Sequence, residues 1–328
     1  MIVVLVEQVD GRPDLTSLET LALGRGVAAA TGEAVDAAVV GPGGSAAASV
    51  LAAQGVDTVH AIEHPGLTDY APAAWGVALA GLVASIEPAA VIASGTERGA
   101  EVMAHLAARL GRPLAANCTE VRAGAGAGPW DVTRQRWGGS LLEDARLEGL
   151  PRLLTVAPHA VSAEERAAAP GRGTVQPFAP TLDDHDLAVR VVRRVAPETG
   201  KVSLADAKVV VGGGRGVGSA EGFAQIVELA ALLGGAVGVS RAVTSAGWRP
   251  HAEQVGQTGL RIAPELYIAC GISGAIQHMV GARTAKRILA INTDPEAPMV
   301  TQATYAVIGD LHAVVPAINA EIRRTTGR

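Results

Sequence analysis

Cysteine is nearly missing from this 328-residue chain: Cys118 and Cys270 stand far apart and form no C-x-x-C pair. That rules out a disulfide framework and a cysteine-rich metal site, and makes a reducing compartment the default. Basic excess is missing as well. The formal net charge is −5, whereas a nucleic-acid binder needs a basic footprint to engage phosphates. No uninterrupted apolar run reaches the roughly 20 residues of a membrane-spanning helix. The opening MIVVLVEQ carries neither the basic n-region of a signal peptide nor the Arg/Ser-rich pattern of a transit peptide. A cytoplasmic chain, not itself embedded in a membrane, is expected.

What is present is apolar. Hydrophobic residues make up 48% and charged residues 18%, a balance that fits a well-buried globular protein and not a disordered one. The length suffices for two domains. Short β-branched runs at Ile2–Val6, Val35–Val40, Thr58–Ile62 and Ala90–Ala93 alternate with alanine-rich helical runs near Leu15–Ala30, Ser45–Gln54, Ala71–Ile86 and Arg98–Leu110. Such alternation implies parallel strands joined by right-handed crossovers.

After Gly111 the pattern changes. AGAGAGPW reads as a loop, and TRQRWGGSLLEDARL and PRLLTVAPHAV read as longer, antiparallel strands. The chain from Pro158 to Lys201 reads as loop, with one more strand at Leu187–Val195. From Lys208 a second series begins: KVVVGGG, a helix from Ala220 to Leu233, AVGVSRA, ELYIACG, a helix around His278, RILAIN, YAVIG and a last helix to Ile322. Two α/β domains follow, 1–196 and 197–328, with the boundary near 196–206.

The turn VVVGGGRGVGSAEGF must be weighed, because strand, glycines and helix commonly cradle phosphates. Gly212 and Gly214 are followed by Val217, and Gly214 and Gly216 by Ser219, so the dinucleotide fingerprint fails. The P-loop pattern fails too. A generic anion-tolerant turn is left, in which Arg215 offers a permanent planar charge; a tight connection with a solvated arginine is an equal reading. GISGA and GVSRA each lack the second glycine of a serine-nucleophile elbow. His60 and His64 read as surface histidines, and no carboxylate pair suits acid/base work.

Polar residues gather beyond the carboxyl ends of the second domain's strands: Arg215, Ser240 and Arg241, Ser273, Gln277 and His278, Asn292, and Asp310. In open α/β sheets that edge is where ligands bind. Singly each has a plainer reading: Asn292 forms a turn, Asp310 caps a helix, and a lone histidine is structural.

VGQTG (Val255–Gly259), APELYIACGISGAIQHMVG and ILAINTDPEAPM together resemble the α subunit of electron transfer flavoproteins, over about residues 208–318. The resemblance implies an N-terminal nucleotide-hydrolase-like α/β domain and a C-terminal Rossmann-like parallel-sheet domain that binds FAD. It also implies a heterodimer with a β subunit that covers the ring and often carries AMP. Its activity would be electron carriage, not stand-alone catalysis: from acyl-CoA or related dehydrogenases, as in fatty acid β-oxidation, to a membrane electron transfer flavoprotein-quinone oxidoreductase. The alternatives are a bifurcating or nitrogen-fixation-type carrier using NADH, and a non-redox nucleotide-binding module of the same fold.

Carried onto this sequence, the resemblance sets Arg215, Ser240 and Arg241 beside the isoalloxazine. Gln257, Thr258 and Gly259 fall in the loop against the ring, with the Thr258 hydroxyl near N5. Ser273, Gly274, Gln277 and His278 form the signature, with His278 near the flavin O2 and the turn near the pyrophosphate. Asn292, Asp310 and Leu311 match the ADP half. Arg215 and His278 would supply charge and hydrogen-bond donation where the half-reduced ring gathers negative charge. Thr293 stands where the family commonly has lysine, and Cys270 where an apolar residue is usual. No metal is expected. The first domain, without a nucleotide turn of note, is assigned to the β subunit.

Overall fold

The computed structural model describes residues 1–328 apart from 125, 127, 140, 164–169, 193–201, 205–206 and 328. Strands buried on both faces form the centre of the first compact unit, Met1–Arg194. Its chain runs β1 (Ile2–Leu5), a short antiparallel ladder of β2 (Gln8–Val9) with β3 (Arg12–Pro13), α1 (Leu15–Thr31), β4 (Val35–Val40), α2 (Gly44–Ala53), β5 (Thr58–Ile62), α3 (Pro72–Ile86), β6 (Ala90–Ser94) and α4 (Glu97–Leu110). It continues with β7 (Leu114–Arg122), β8 (Trp130–Arg136), β9 (Leu141–Leu147), β10 (Arg152–Val156) and β11 (Thr174–Phe178). The strand order is β11-β5-β4-β1-β6-β10-β7-β8-β9. All neighbours are parallel except β7–β8 and β8–β9.

The helices stop and start where their local chemistry dictates. Asp14 caps α1 by accepting from Ser17 N at 2.7 Å, and Gly32 ends it at φ +75°. Thr96 caps α4 through Gly99 N at 2.9 Å. Each such cap satisfies an otherwise orphaned backbone donor.

Three readings of the first unit change. β10 is not antiparallel: it lies parallel between β6 and β7, and all five of its residues are buried. A strand covered on both faces shows no alternation from which direction could be read. The outer strand is Thr174–Phe178, not Leu187–Val195. Residues 187–192 are turn or irregular, and 193–195 lie outside the described residues. Just upstream, Asp183 and Asp186 each accept the other's backbone N–H, at 2.8 and 3.2 Å, and Arg109 holds Asp186 at 2.8 Å. Pro177 is tolerated there because, among the described residues, β11 pairs only with β5 and is an edge strand. Finally, His60 is not a surface residue. It is 2% exposed and its Nε2 lies 3.0 Å from Asp36 Oδ2, because β5 sits inside the sheet.

The end of β10 also carries a buried cation. Arg152 is 1% exposed, its guanidinium stacks 4.5 Å over the Trp130 ring, and it donates to the carbonyls of Gly126 and Gly128.

The second unit, Val195–Arg328, runs β12 (Val209–Gly213), α5 (Ala224–Leu232), β13 (Ala236–Val239), α6 (Arg241–Ser245), β14 (Leu266–Cys270), α7 (Ile276–Ala282), β15 (Ile288–Asn292), α8 (Pro298–Thr301), β16 (Tyr305–Ile308) and α9 (Leu311–Thr326). Its five strands are all parallel, in the order β13-β12-β14-β15-β16. Counted within the unit that order is 2-1-3-4-5, the doubly wound arrangement whose reversal point lies between the first and third strands. All four residues of the edge strand β16 are exposed. The sequence boundary at 196–206 falls mostly on residues outside the described ones. Among the described residues no helix is long and apolar enough to cross a membrane.

Candidate functional site

A parallel sheet opens a crevice where successive connections leave in opposite directions. In the first unit that point lies between β1 and β6, and an acid fills it: the Glu7 carboxylate accepts the Thr96 hydroxyl at the start of α4. Burial raises the Glu7 pKa, with Thr96 partly opposing. A carboxylate at the place where an anion would be held makes this crevice unfit for phosphates.

At the equivalent point of the second unit, between β12 and β14, the seam itself is glycine, and the acid Asp294 stands only on the wall of the larger cavity beyond it. Backbone approaches backbone: Gly214 N donates to Cys270 O at 2.9 Å and Gly216 N to Gly271 O at 3.1 Å. A Cβ on Gly214 would stand 2.2 Å from Gly271 O, so only glycine fits. Beyond this seam lie two cavities. One, of about 380 Å³, is lined by Arg215, Gly216, Ser240, Ser273, Asn292 and Asp294 among others. The second, of about 200 Å³, includes Arg241, Gln254, Gln257, Thr258, Gln277 and His278. Ser240, Ala242, Ile272 and Ser273 line both.

The side chains are held in distinct ways. Arg215 stands exposed on a single 3-10 turn. Ser240 precedes α6, and its side chain makes no capping bond. Asn292 Nδ2 donates to Ile272 O at 3.0 Å, while its Oδ1 accepts Asp294 N at 3.1 Å. It therefore fixes the turn after β14 as well as lining the larger cavity. Gln257 N donates to Gln277 O at 2.7 Å, tying the loop to α7.

His278 is 6% exposed. Its Nε2 lies 2.8 Å from the Tyr267 hydroxyl, and its Nδ1 is buried without a hydrogen-bond partner. Burial pushes its pKa down to about 4, the Val255 backbone partly opposing. Near neutral pH His278 is therefore a neutral ring, and the expectation that it supplies charge is corrected. Since the unfolded chain takes up this proton first, its contribution to stability is intact above about pH 6.5 and is lost as pH falls toward about 4. Urea denaturation across that window should show a decline of at most about 3 kcal/mol that His278→Gln removes.

Gln254 escaped the sequence reading. It is 2% exposed; its Oε1 accepts the Thr244 hydroxyl at 2.5 Å and its Nε2 donates to Thr258 Oγ1 at 2.9 Å. Thr258 thus has its oxygen occupied and its own proton free for a ligand acceptor. The only sequence signal is a polar residue just before VGQTG. Asp294 was also missed, and it places a carboxylate on the larger cavity.

Nine of the residues named from sequence line the two cavities: Arg215, Ser240, Arg241, Gln257, Thr258, Ser273, Gln277, His278 and Asn292. Gly259, Gly274, Asp310 and Leu311 do not. Asp310 caps α9 through His312 N at 2.9 Å, and Leu311 packs under Gly271. Gly259 donates to Gly256 O in the loop turn. Gly274, at φ +80°, lies against Met299 N. Cys270 behaves as a buried thiol, its pKa pushed up to about 12 by burial.

A buried nitrogen without a geometric hydrogen bond, a glycine seam that lets the ends of two strands close together, and an exposed arginine on the cavity wall fit a flavin dinucleotide. The comparisons agree. Residues 2–182 match the family model described as electron transfer flavoprotein domain, and residues 203–283 the one described as electron transfer flavoprotein FAD-binding domain. The electron transfer flavoprotein subunit alpha of Mycobacterium tuberculosis is 39% identical over 328 residues, covering 99% of both chains. That of Thermoanaerobacterium thermosaccharolyticum is 34% identical, covering 98% of this chain and 97% of its own. Protein FixB of Clostridium saccharobutylicum is 35% identical, covering 98% and 95%.

Proposed function

The chain belongs to the electron transfer flavoprotein α-subunit family, and we propose that, paired with a β subunit, it shuttles electrons from acyl-CoA or related dehydrogenases to a membrane quinone oxidoreductase. Its second unit carries the family's FAD-binding domain. When bound, FAD supplies reversible one- and two-electron chemistry. The observation that carries the reading is the donor-rich lining of the two cavities beside the β12–β14 seam. A hydride-abstracting catalyst would need an acid or base beside its substrate; the smaller cavity offers neutral donors and Arg241 instead.

The chain's residues divide the work. Thr258, with its oxygen held by Gln254, presents a hydroxyl proton, and His278 presents Nδ1. Arg215 suits the anionic part of the cofactor, and Asn292 with Asp294 the ribose hydroxyls of its ADP half. In the first unit, the exposed Trp137, Leu141 and Leu142 at the β8–β9 turn support assigning that unit to the β subunit.

Co-expression with a β subunit is expected to yield a yellow complex with one FAD held by this chain; a colourless chain that binds only ADP would leave the carrier reading without support. Arg215→Ala should cost FAD affinity about 1.5–3 kcal/mol, the usual worth of a charged hydrogen bond, seen as a ten- to hundredfold rise in Kd. The FixB relative favours a second reading, a bifurcating or nitrogen-fixation-type carrier. Two FAD molecules per complex, with reduction by NADH, would select it.

A further inference from the structure

We propose that Tyr267 is a positioning residue: its hydroxyl donates to His278 Nε2, which holds the imidazole with its proton on Nδ1 and so presents an N–H donor to the flavin cavity. The inference rests on the FAD reading above and goes beyond it by fixing which atom carries the proton.

The geometry allows few alternatives. Tyr267 is fully buried on β14, and its hydroxyl reaches His278 Nε2 at 2.8 Å. The reach depends on Gly212 of β12, since a Cβ there would stand 2.3 Å from the hydroxyl oxygen. The two rings lie at 25° to each other with centroids 6.1 Å apart.

Two proton arrangements can satisfy that contact. If Nε2 carried the proton and donated it to the phenol oxygen, the phenol proton would have no acceptor among the described residues. Nδ1 would then be a buried bare lone pair on a ring that also meets the Val255 carbonyl, and two buried groups would be unsatisfied. If the phenol donates to Nε2, the imidazole proton stays on Nδ1, where the nearby Val255 carbonyl favours it without reaching hydrogen-bond geometry, and a ligand acceptor supplies the bond. Each buried unsatisfied group carries its full desolvation penalty, so the second arrangement prevails.

Neither partner changes charge easily. Burial raises the Tyr267 pKa and lowers that of His278. The Val255 carbonyl favours a proton on the imidazole but does not outweigh burial. The donor is therefore neutral, and it suits a carbonyl oxygen such as that of the flavin pyrimidine ring. The role of the tyrosine parallels a carboxylate or carbonyl that sets the tautomer of a working histidine from behind, with donor and acceptor reversed.

The test is tautomer measurement in the co-expressed αβ complex with 15N-labelled histidine, His278→Gln identifying the signal among the eight histidines of the chain. Wild type should show Nδ1 protonated and Nε2 bare between about pH 5.5 and 8. Tyr267→Phe, which keeps the ring and loses the donor, should move proton population to Nε2 and raise the Kd for FAD about three- to tenfold, the range of a neutral hydrogen bond. A proton on Nε2 in wild type overturns the proposal, as does an unchanged tautomer in a folded Tyr267→Phe complex. If that variant does not fold, the wild-type measurement alone decides. A complex that takes up no FAD while the proton sits on Nδ1 would refute the cofactor reading and leave the tautomer assignment standing. FAD bound with the proton on Nε2 would do the reverse.

Discussion

Gly274→Ala is expected to destabilise the second unit by about 2–5 kcal/mol and to abolish FAD retention. The residue sits at φ +80°, and a Cβ there would stand 2.2 Å from Met299 N and 2.7 Å from Met299 Cα. Left-handed backbone costs a β-carbon-bearing residue roughly 1–2 kcal/mol, and overpacking against backbone adds about 1–3 kcal/mol. The obstructing atoms belong to α8, whose first turn is pinned by Met299 N donating to Ser273 O at 3.1 Å. Relief would therefore move Ser273, which lines both cavities. Gly218→Ala is the control. Gly218 also has positive φ, +85°, but nothing lies within 4 Å of a Cβ there, so only the conformational cost of about 1–2 kcal/mol should appear. Urea denaturation of both variants, with FAD counted by absorbance, separates strain from collision; equal losses would show that the collision relaxes away.

Trp130→Ala should cost the first unit about 3–5 kcal/mol, the usual range for emptying an aromatic site in a packed core. The residue is 1% exposed within the cluster of Val4, Ile92, Leu154 and Val156. The loss is compounded by its neighbour. Arg152 has no carboxylate partner among the described residues, and its Nε is unsatisfied; the ring face is what its guanidinium meets. A desolvated cation–π contact is worth up to about 2 kcal/mol. Trp130→Ala with Arg152→Ala should accordingly be milder than the sum of the singles by about 1–2 kcal/mol. Strict additivity in the denaturation midpoints would show that the stack contributes nothing.

The parts legible in the sequence are those with period or punctuation. Ile2–Leu5, Val35–Val40 and Thr58–Ile62 were read within a residue of their ends, since β-branched runs between helices have one use. Asp310 is legible because a cap is local chemistry, and the helix near Leu15–Ala30, observed as Leu15–Thr31, because an alanine-rich run between strands is as well. What escaped depends on neighbours distant in sequence. His60 looked like a surface residue until Asp36 was brought beside it by the β4–β5 pairing. The direction of β10 and the position of β11 are set by which strand lies adjacent, which no local pattern records. At the site, the chain itself marks the strand ends, so Arg215, Ser240 and Ser273 could be placed on one rim. Gln254 could not, as its role is to hold Thr258 from behind. Tyr267 stands in an apolar run and is core; that its hydroxyl meets His278 is a fact of distance, not composition.

The edge strand β16 has a consequence for handling and supply of the chain. Its residues Tyr305, Ala306, Val307 and Ile308 are uncharged and exposed, and among the described residues the strand has a neighbour on one side only. Proline, lysine and bulges, the usual means of blunting an edge, are missing from it. The folded molecule, then, is the self-adhesive species, and unfolding is not needed to start precipitation. Loss of soluble chain should rise steeply with concentration and respond little to mutations that raise the melting temperature elsewhere. A single gatekeeper, Val307→Lys, should slow it at unchanged stability.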